Sequence, residues 1–209
     1  MSTIIYLIRH SEKAKINYVS DIDNYDLEDE KLVLSVLWEE KAQELVKIEE
    51  LQSISKIYTS NYSRSLSTAK YLAEKLNLKI NVLSALNERK IGIEKKEDYP
   101  YDFEEKQFLN ENYKLNGESQ KEVRNRMKNV MNETIQHNEN NTIGVFSHAT
   151  AIIYYLLNFC EISYREKIFS IKFNNKIIFN ERFSAPEIFR LEFNSNKELI
   201  DIKNIKLDK

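Results

Sequence analysis

Four short segments of this 209-residue chain carry side chains suited to holding an oxyanion: Arg9-His10, Ser60 with Arg64, Glu88-Arg89, and Ser147-His148. A guanidinium presents a planar fork of donors that matches two oxygens of a phosphate, and an imidazole donates or accepts according to its protonation. Two of the three histidines and three of the eight arginines fall in these segments. Taken singly, each has an ordinary reading: Arg64 as a surface ion-pair partner, His148 as a core histidine with satisfied nitrogens, Glu88 as one solvated carboxylate among many. Their shared position carries the argument, because each segment follows a short apolar run that reads as a strand. The only glycines are Gly92, Gly117 and Gly144, with no GxGxxG or GxxxxGK(S/T) run. A phosphate bound here is therefore held by side chains, helped by the dipole of a helix starting after His148.

The elements that must position these segments alternate. Residues 4–8 form a β-branched apolar run, as expected of a strand covered on both faces. Between 34 and 51, Leu37, Trp38, Ala42, Leu45, Val46 and Leu51 recur at the spacing of an amphipathic helix. Residues 56–59 predict a strand, with Ser60 as N-cap of a helix reaching residue 76. Strands follow at 80–83 and 142–146, and helices at 119–136, opened by Gly117-Glu118-Ser119, and at 149–158. The last forty residues differ: IFSIKF, KIIF, EIFRLEF and LIDIKNI alternate around Asn174-Asn175 and NSNKE, as antiparallel hairpins do. The expected fold is α/β, a three-layer α/β/α sandwich whose mostly parallel sheet ends in antiparallel strands. No repeat or linker interrupts residues 1–209, so one domain is expected, with a variable stretch at about 90–116. In an open sheet of this kind ligands bind beyond the carboxyl ends of the strands, where the four segments meet.

Composition narrows the partners. With 31 Lys plus Arg against 33 Asp plus Glu and a formal charge of −2, the chain lacks the basic footprint of a nucleic-acid binder. Its N-terminal apolar run is too short for a membrane span or a signal-peptide core, so a cytoplasmic protein is expected. Cys160, the only cysteine, cannot form an internal disulfide, and three histidines with one cysteine do not supply zinc-site spacings. No metal or cofactor is expected. The C-terminal hairpins leave a sheet edge at which a second copy could pair as a homodimer.

In order along the chain, LIRHSEK (7–13), IYTSNYSRSLSTAKYLA (57–73), LNERKIG (86–92), GES (117–119) and VFSHATAI (145–152) resemble the signature segments of the histidine phosphatase superfamily, which includes the phosphoglycerate mutases. The resemblance covers most of the chain and implies a phosphoglycerate mutase-like fold. It implies a metal-independent phosphatase that hydrolyses a small phosphorylated metabolite through a phosphohistidine on His10. Arg9, Arg64 and His148 would surround the transferring phosphoryl group. Glu88 would be the general acid and base, with the carboxylates of 94–105 as alternatives.

Departures from the family pattern bear on activity. Ser11 stands where the family has Gly after the nucleophile, Ala149 where Gly often follows the second histidine, and Trp38 in place of a common Gly expected far from the chemistry. The mutases' Trp-Asn pair is absent from Lys13-Ala14-Lys15-Ile16-Asn17, and Ile-Glu-Lys-Lys-Glu-Asp replaces their glycine-rich continuation after LNER-x-x-G, which disfavours mutase activity. A mutase, a phosphatase of phosphohistidine proteins, and a catalytically weak phospholigand-binding module are the alternatives. A serine hydrolase is not, since no Gly-x-Ser-x-Gly elbow exists. His137 is expected to be exposed. Lys90, Lys95, Lys96 and the aromatics Tyr99, Tyr101, Phe103, Phe108 and Tyr113 are the expected neighbours of the leaving group, or else a solvated loop and helix packing.

Overall fold

The computed structural model describes residues 2–14 and 24–207. Along the chain β1 (Thr3–Arg9) leads to α1 (Tyr25–Lys31) and α2 (Val36–Glu44), then β2 (Lys56–Thr59), α3 (Ser63–Leu76) and β3 (Ile80–Val82). Next come α4 (Phe103–Leu109), α5 (Gln120–Gln136), β4 (Thr142–Ser147) and α6 (Ala149–Leu156). Five strands close the chain: β5 (Glu161–Arg165), β6 (Ile168–Phe173), β7 (Lys176–Glu181), β8 (Glu187–Phe193) and β9 (Leu199–Ile205).

The main sheet runs β3-β2-β4-β1-β8-β9. Its first four strands are parallel, and β8 and β9 add antiparallel pairs. Both faces are covered, which is why β1 reads as an unbroken apolar run. Ile5 and Leu7 join Met127 and Val123 of α5 and Ile152 of α6, whereas Tyr6 and Ile8 join Ala69 and Leu72 of α3. Helix, sheet, helix is the three-layer sandwich expected. Register then aligns the strand ends: Arg9 lies opposite Ser147 and Thr59 opposite Phe146. The ladder continues one residue further, with His10 N–H on the Ser147 carbonyl (3.0 Å) and Ser60 N–H on that of Phe146 (3.1 Å). His10, Ser60 and His148 thus emerge side by side.

The C-terminal strands divide between two sheets, because β5, β6 and β7 form an antiparallel sheet of their own. The Asn174-Asn175 turn has both residues at positive φ, as its sequence predicts, and so does Glu166-Lys167, which carries no turn signal. That second turn joins β6 to β5, a strand the sequence pattern missed.

Other expectations are corrected. Residues 34–51 do not form one helix: α2 ends at Glu44 and tight 3₁₀ turns at Leu45–Lys47 and Glu49–Ser53 bring Leu45 and Leu51 into the core. Ser60 is not an N-cap. Tyr62 holds that position without a side-chain cap, and the Ser60 hydroxyl is turned to His148 instead. Helix α5 does begin as expected, with Ser119 and Glu122 exchanging capping hydrogen bonds. Gly117 is forced by close approach, since a Cβ there would lie 2.1 Å from the Lys90 carbonyl oxygen. Lys15, Ile16 and Asn17, part of the segment standing in place of the Trp-Asn pair, lie outside the described residues.

Candidate active site

His10 is 5% exposed. Its Nδ1 is tied to the carbonyl of Ser11, which puts the ring proton there and leaves Nε2 with a lone pair. Burial, then the charges of Arg64 and Arg9, hold the ring well below the ordinary histidine pKa, so it is neutral at pH 7. Arg64, from the first turn of α3, donates from Nε to that lone pair at 3.0 Å. The rest of its fork is engaged by Asp29 of α1, through the backbone carbonyl and through Oδ2 at 2.8 Å. Lys13 also pairs with Asp29. Burial works to raise the Asp29 pKa, but Arg64 and Lys13 outweigh it and the carboxyl is held below its ordinary value.

His148 is fully buried, its ring centroid 4.8 Å from that of His10. Burial, followed by Arg64 and His10, keeps it neutral as well. Its Nε2 lies 2.7 Å from the Ser60 hydroxyl, and its Nδ1 is buried without a partner among the described residues. Arg9 is fixed by donating from Nη1 to the carbonyls of Phe183 (2.9 Å) and Ser184 (2.7 Å), while its Nε is buried without a partner among the described residues. The Glu88 carboxylate accepts from the N–H groups of Arg89 (2.9 Å), Ala151 (3.1 Å) and Thr150 (3.3 Å), so it lies against the start of α6. Arg126 of α5 fixes this loop from behind, donating to the carbonyls of Ala85, Asn87 and Glu88 and to the Glu118 carboxylate.

These groups line a cavity of about 230 Å³ that contains Arg9, His10, Arg64 and Glu88 in its wall. An Arg9 Nε without a partner among the described residues, a neutral imidazole whose Nε2 lone pair is held by Arg64, and a carboxylate within one cleft suit a tetrahedral oxyanion and attack upon it.

The sequence matches the histidine phosphatase superfamily (branch 1) over residues 5–176. The chain belongs to that superfamily. Comparable folds include a mycobacterial glucosyl-3-phosphoglycerate phosphatase, at 16% identity and TM-score 0.68 with 98% of this chain and 97% of that one covered. A phosphoserine phosphatase mutant from Entamoeba histolytica, in complex with phosphoserine, aligns at 18% identity and TM-score 0.65 with 96% of each chain covered. A putative alpha-ribazole-5'-P phosphatase from Escherichia coli aligns at 16% identity and TM-score 0.63, covering 99% of this chain and 96% of that one. No curated protein matches the chain in sequence.

Of the five residues singled out from sequence, Arg9, His10, Arg64 and Glu88 line this cleft, while His148 lies outside its lining, fully buried with its ring 4.8 Å from that of His10. Ser11 and Ala149 cause no backbone strain, as neither has positive φ. Trp38 lies nearer than expected, since its carbonyl accepts from the Ser11 hydroxyl at 2.6 Å. His137 is exposed at the end of α5, as expected. The expected basic neighbours do not appear, because Lys90, Lys95 and Lys96 line neither this cavity nor the one beside it. The aromatics divide: Tyr99 lines the cleft, Phe108 the adjoining cavity, Phe103 is buried beneath the Arg89 guanidinium at 4.9 Å, Tyr113 packs on Phe103, and Tyr101 is exposed. Sequence reasoning missed Asp29. Its only signal is an acidic run, Asp26 to Glu30, which by itself reads as a solvated helix.

Proposed function

We propose that this protein hydrolyses small phosphate monoesters through a phosphohistidine on His10. The observation that carries the reading is the His10 ring: neutral, buried, its Nδ1 tied to the Ser11 carbonyl and its Nε2 lone pair facing the Arg64 fork. A phosphate oxygen entering the cleft exchanges with the Asp29 carboxylate on Arg64, and Nε2 is released to attack phosphorus. As the Nε2–P bond forms, the bond from phosphorus to the leaving oxygen breaks, and that oxygen takes the proton of Glu88. Arg9, Arg64 and His148 meet the charge on the phosphoryl oxygens, so guanidinium and imidazole groups do the work of charge stabilisation. Water, losing its proton to Glu88, then attacks phosphorus, the N–P bond breaks, and phosphate leaves.

A second carboxylate has a claim to the acid's role. Glu104 lines both the cleft and the adjoining cavity, where a leaving oxygen would pass. Glu88→Gln and Glu104→Gln separate the two, since only the true acid matters more for an alkyl ester than for p-nitrophenyl phosphate, whose leaving group needs little protonation.

The decisive experiment quenches turnover in alkali, where the acid-labile N–P bond of phosphohistidine survives, and maps the bound phosphate by mass spectrometry, with a chelator present throughout. Phosphate on His10, absent from His10→Ala along with activity, is the expected result. An active enzyme that never carries phosphate on His10 would defeat the mechanism. Release of orthophosphate, with no isomerised phosphoglycerate, separates hydrolysis from mutase chemistry.

A further inference from the structure

Beside the cleft lies a second cavity of about 350 Å³, within the range of small-molecule sites. The two share Arg9, Arg89, Glu104, Ala149 and Thr150 along their common border, so they adjoin. Glu88 sits at that border, held by the N–H groups of Thr150 and Ala151. A phosphate ester seated against His10, with its leaving oxygen toward Glu88, therefore directs the remainder of the molecule into the second cavity.

The walls of this cavity state what it fits. Phe108, Tyr164, Phe169 and Phe183 line it with aromatic faces, and the rings pack on one another, Tyr164 and Phe169 at 4.7 Å and Phe169 and Phe183 at 5.9 Å between centroids. Such walls favour a flat apolar body. Lys167 and Arg182 complete the lining, both exposed. Their side chains make no hydrogen bond or ion pair among the described residues, and the adjacent acids are engaged elsewhere, Glu166 with Arg165 and Glu181 with Lys206. By contrast Arg89, also in the lining, has both terminal nitrogens engaged, by Gln107, Tyr154 and Tyr99, and only its buried Nε lacks a partner among the described residues. Glu104 accepts from Tyr99 and Tyr164 at the border, so an anion is disfavoured there and favoured near the two free cations. Lys167 also occupies a positive-φ turn position, φ 66°, where glycine or asparagine is usual, and so brings an ammonium to a place that ordinarily has no long side chain.

We propose that the second cavity binds the leaving group, and that the favoured leaving group is a planar apolar body ending in an anionic group such as a carboxylate. This rests on the phosphatase reading for the direction in which the ester lies. It makes Lys167 and Arg182, carried by the hairpin sheet, residues that determine specificity without touching the reacting atoms.

Non-hydrolysable phosphonates test the pocket separately from catalysis. Calorimetry on the whole protein compares 4-(phosphonomethyl)benzoate, benzylphosphonate and methylphosphonate, with native chain and with the Lys167→Ala/Arg182→Ala double variant. The ring should add about tenfold in affinity and the carboxylate a further factor of about tenfold. In the double variant the carboxylate's advantage should fall to nearly nothing, with benzylphosphonate binding changed by less than about twofold. Equal binding of the two aryl compounds by the native protein, or a carboxylate preference that survives the double substitution, would overturn the inference. Turnover of the corresponding phosphate esters is measured on the same samples. Selective phosphonate binding without any ester hydrolysis would defeat the phosphatase reading and leave the cavity's selectivity standing.

Discussion

The cleft around His10 and the aromatic cavity beside it touch, yet they are built by different means. The cleft is assembled from the carboxyl ends of β1, β2 and β4, neighbours in a parallel sheet, with Glu88 supplied by the loop after β3. Its side chains are buried and held by fixed partners: Ser11 for His10, Ser60 for His148, Phe183 and Ser184 for Arg9. The cavity draws on α4, α6 and a separate antiparallel sheet, and its charged members, Lys167 and Arg182, are exposed and unpaired among the described residues. A buried, preorganised site is suited to one transition state, whereas exposed cations on a hairpin discriminate among substrates at little cost to the fold. One region should control whether turnover occurs, the other which ester is turned over.

Loss of the nucleophile from the cleft should therefore lower turnover of every ester alike, and loss of the acid should follow the leaving group's pKa alone. The largest effect expected is His10→Ala, with kcat reduced by about 10⁴-fold or more for alkyl and aryl phosphates together, as for loss of a nucleophile in other covalent enzymes. A loss confined to one class of ester would break the division proposed between the two regions. Glu88→Gln should follow, lowering kcat by about 10²-fold or more for alkyl phosphates and far less for p-nitrophenyl phosphate. Brønsted plots of kcat/KM against leaving-group pKa for native and variant proteins would show this as a steeper dependence.

Asp29→Asn sharpens the comparison from the other side. Removing the carboxylate's charge while keeping an acceptor for Arg64 should tighten inorganic phosphate binding several-fold, because the incoming anion no longer displaces an ion pair. The same substitution should lower the thermal midpoint, since Arg64, 2% exposed, loses its counter-charge. Calorimetric titration with phosphate and thermal unfolding measure the two effects, and weaker phosphate binding would show that Asp29 supports the anion site rather than competing for it.

The smallest effect is in pH dependence. His10 and His148 are both held well below the ordinary histidine value by burial and by the arginines. Below about pH 6.5 the unfolded chain takes up protons that these buried rings refuse, so stability should fall as pH drops. The limiting slope is about 1.4 kcal/mol per pH unit for each histidine. Turnover should nevertheless persist below pH 6.5, because the nucleophile stays neutral. Urea midpoints and kcat/KM measured from pH 7.5 to pH 5 test both, and an acid limb at an unperturbed histidine pKa would contradict the buried, neutral His10.

Much of the cleft was legible from the chain alone because strand ends carry their functional residues as short contiguous segments. Arg9-His10 and Ser147-His148 each follow an apolar run whose pairing register then places them side by side. Ser60 misled as a helix cap, since a serine after a strand and before a helix has the same local signature whether its hydroxyl turns to the backbone or to a histidine 88 positions away. Residues 34–51 misled by periodicity, which records which residues are buried and not whether the backbone between them stays helical.

What the sequence determined, then, is the alternation of elements, the sandwich they form and the five side chains at its strand ends, because apolar periodicity and local motifs are properties of neighbours along the chain. Only the tertiary structure decided that Asp29 holds Arg64, that Trp38 backs Ser11, and that the exposed cations lining the cavity beside the cleft are Lys167 and Arg182 instead of Lys90, Lys95 or Lys96. Those contacts join residues separated by tens to more than a hundred positions. They depend on how a hairpin sheet and a short helix settle against the core, which no local pattern records.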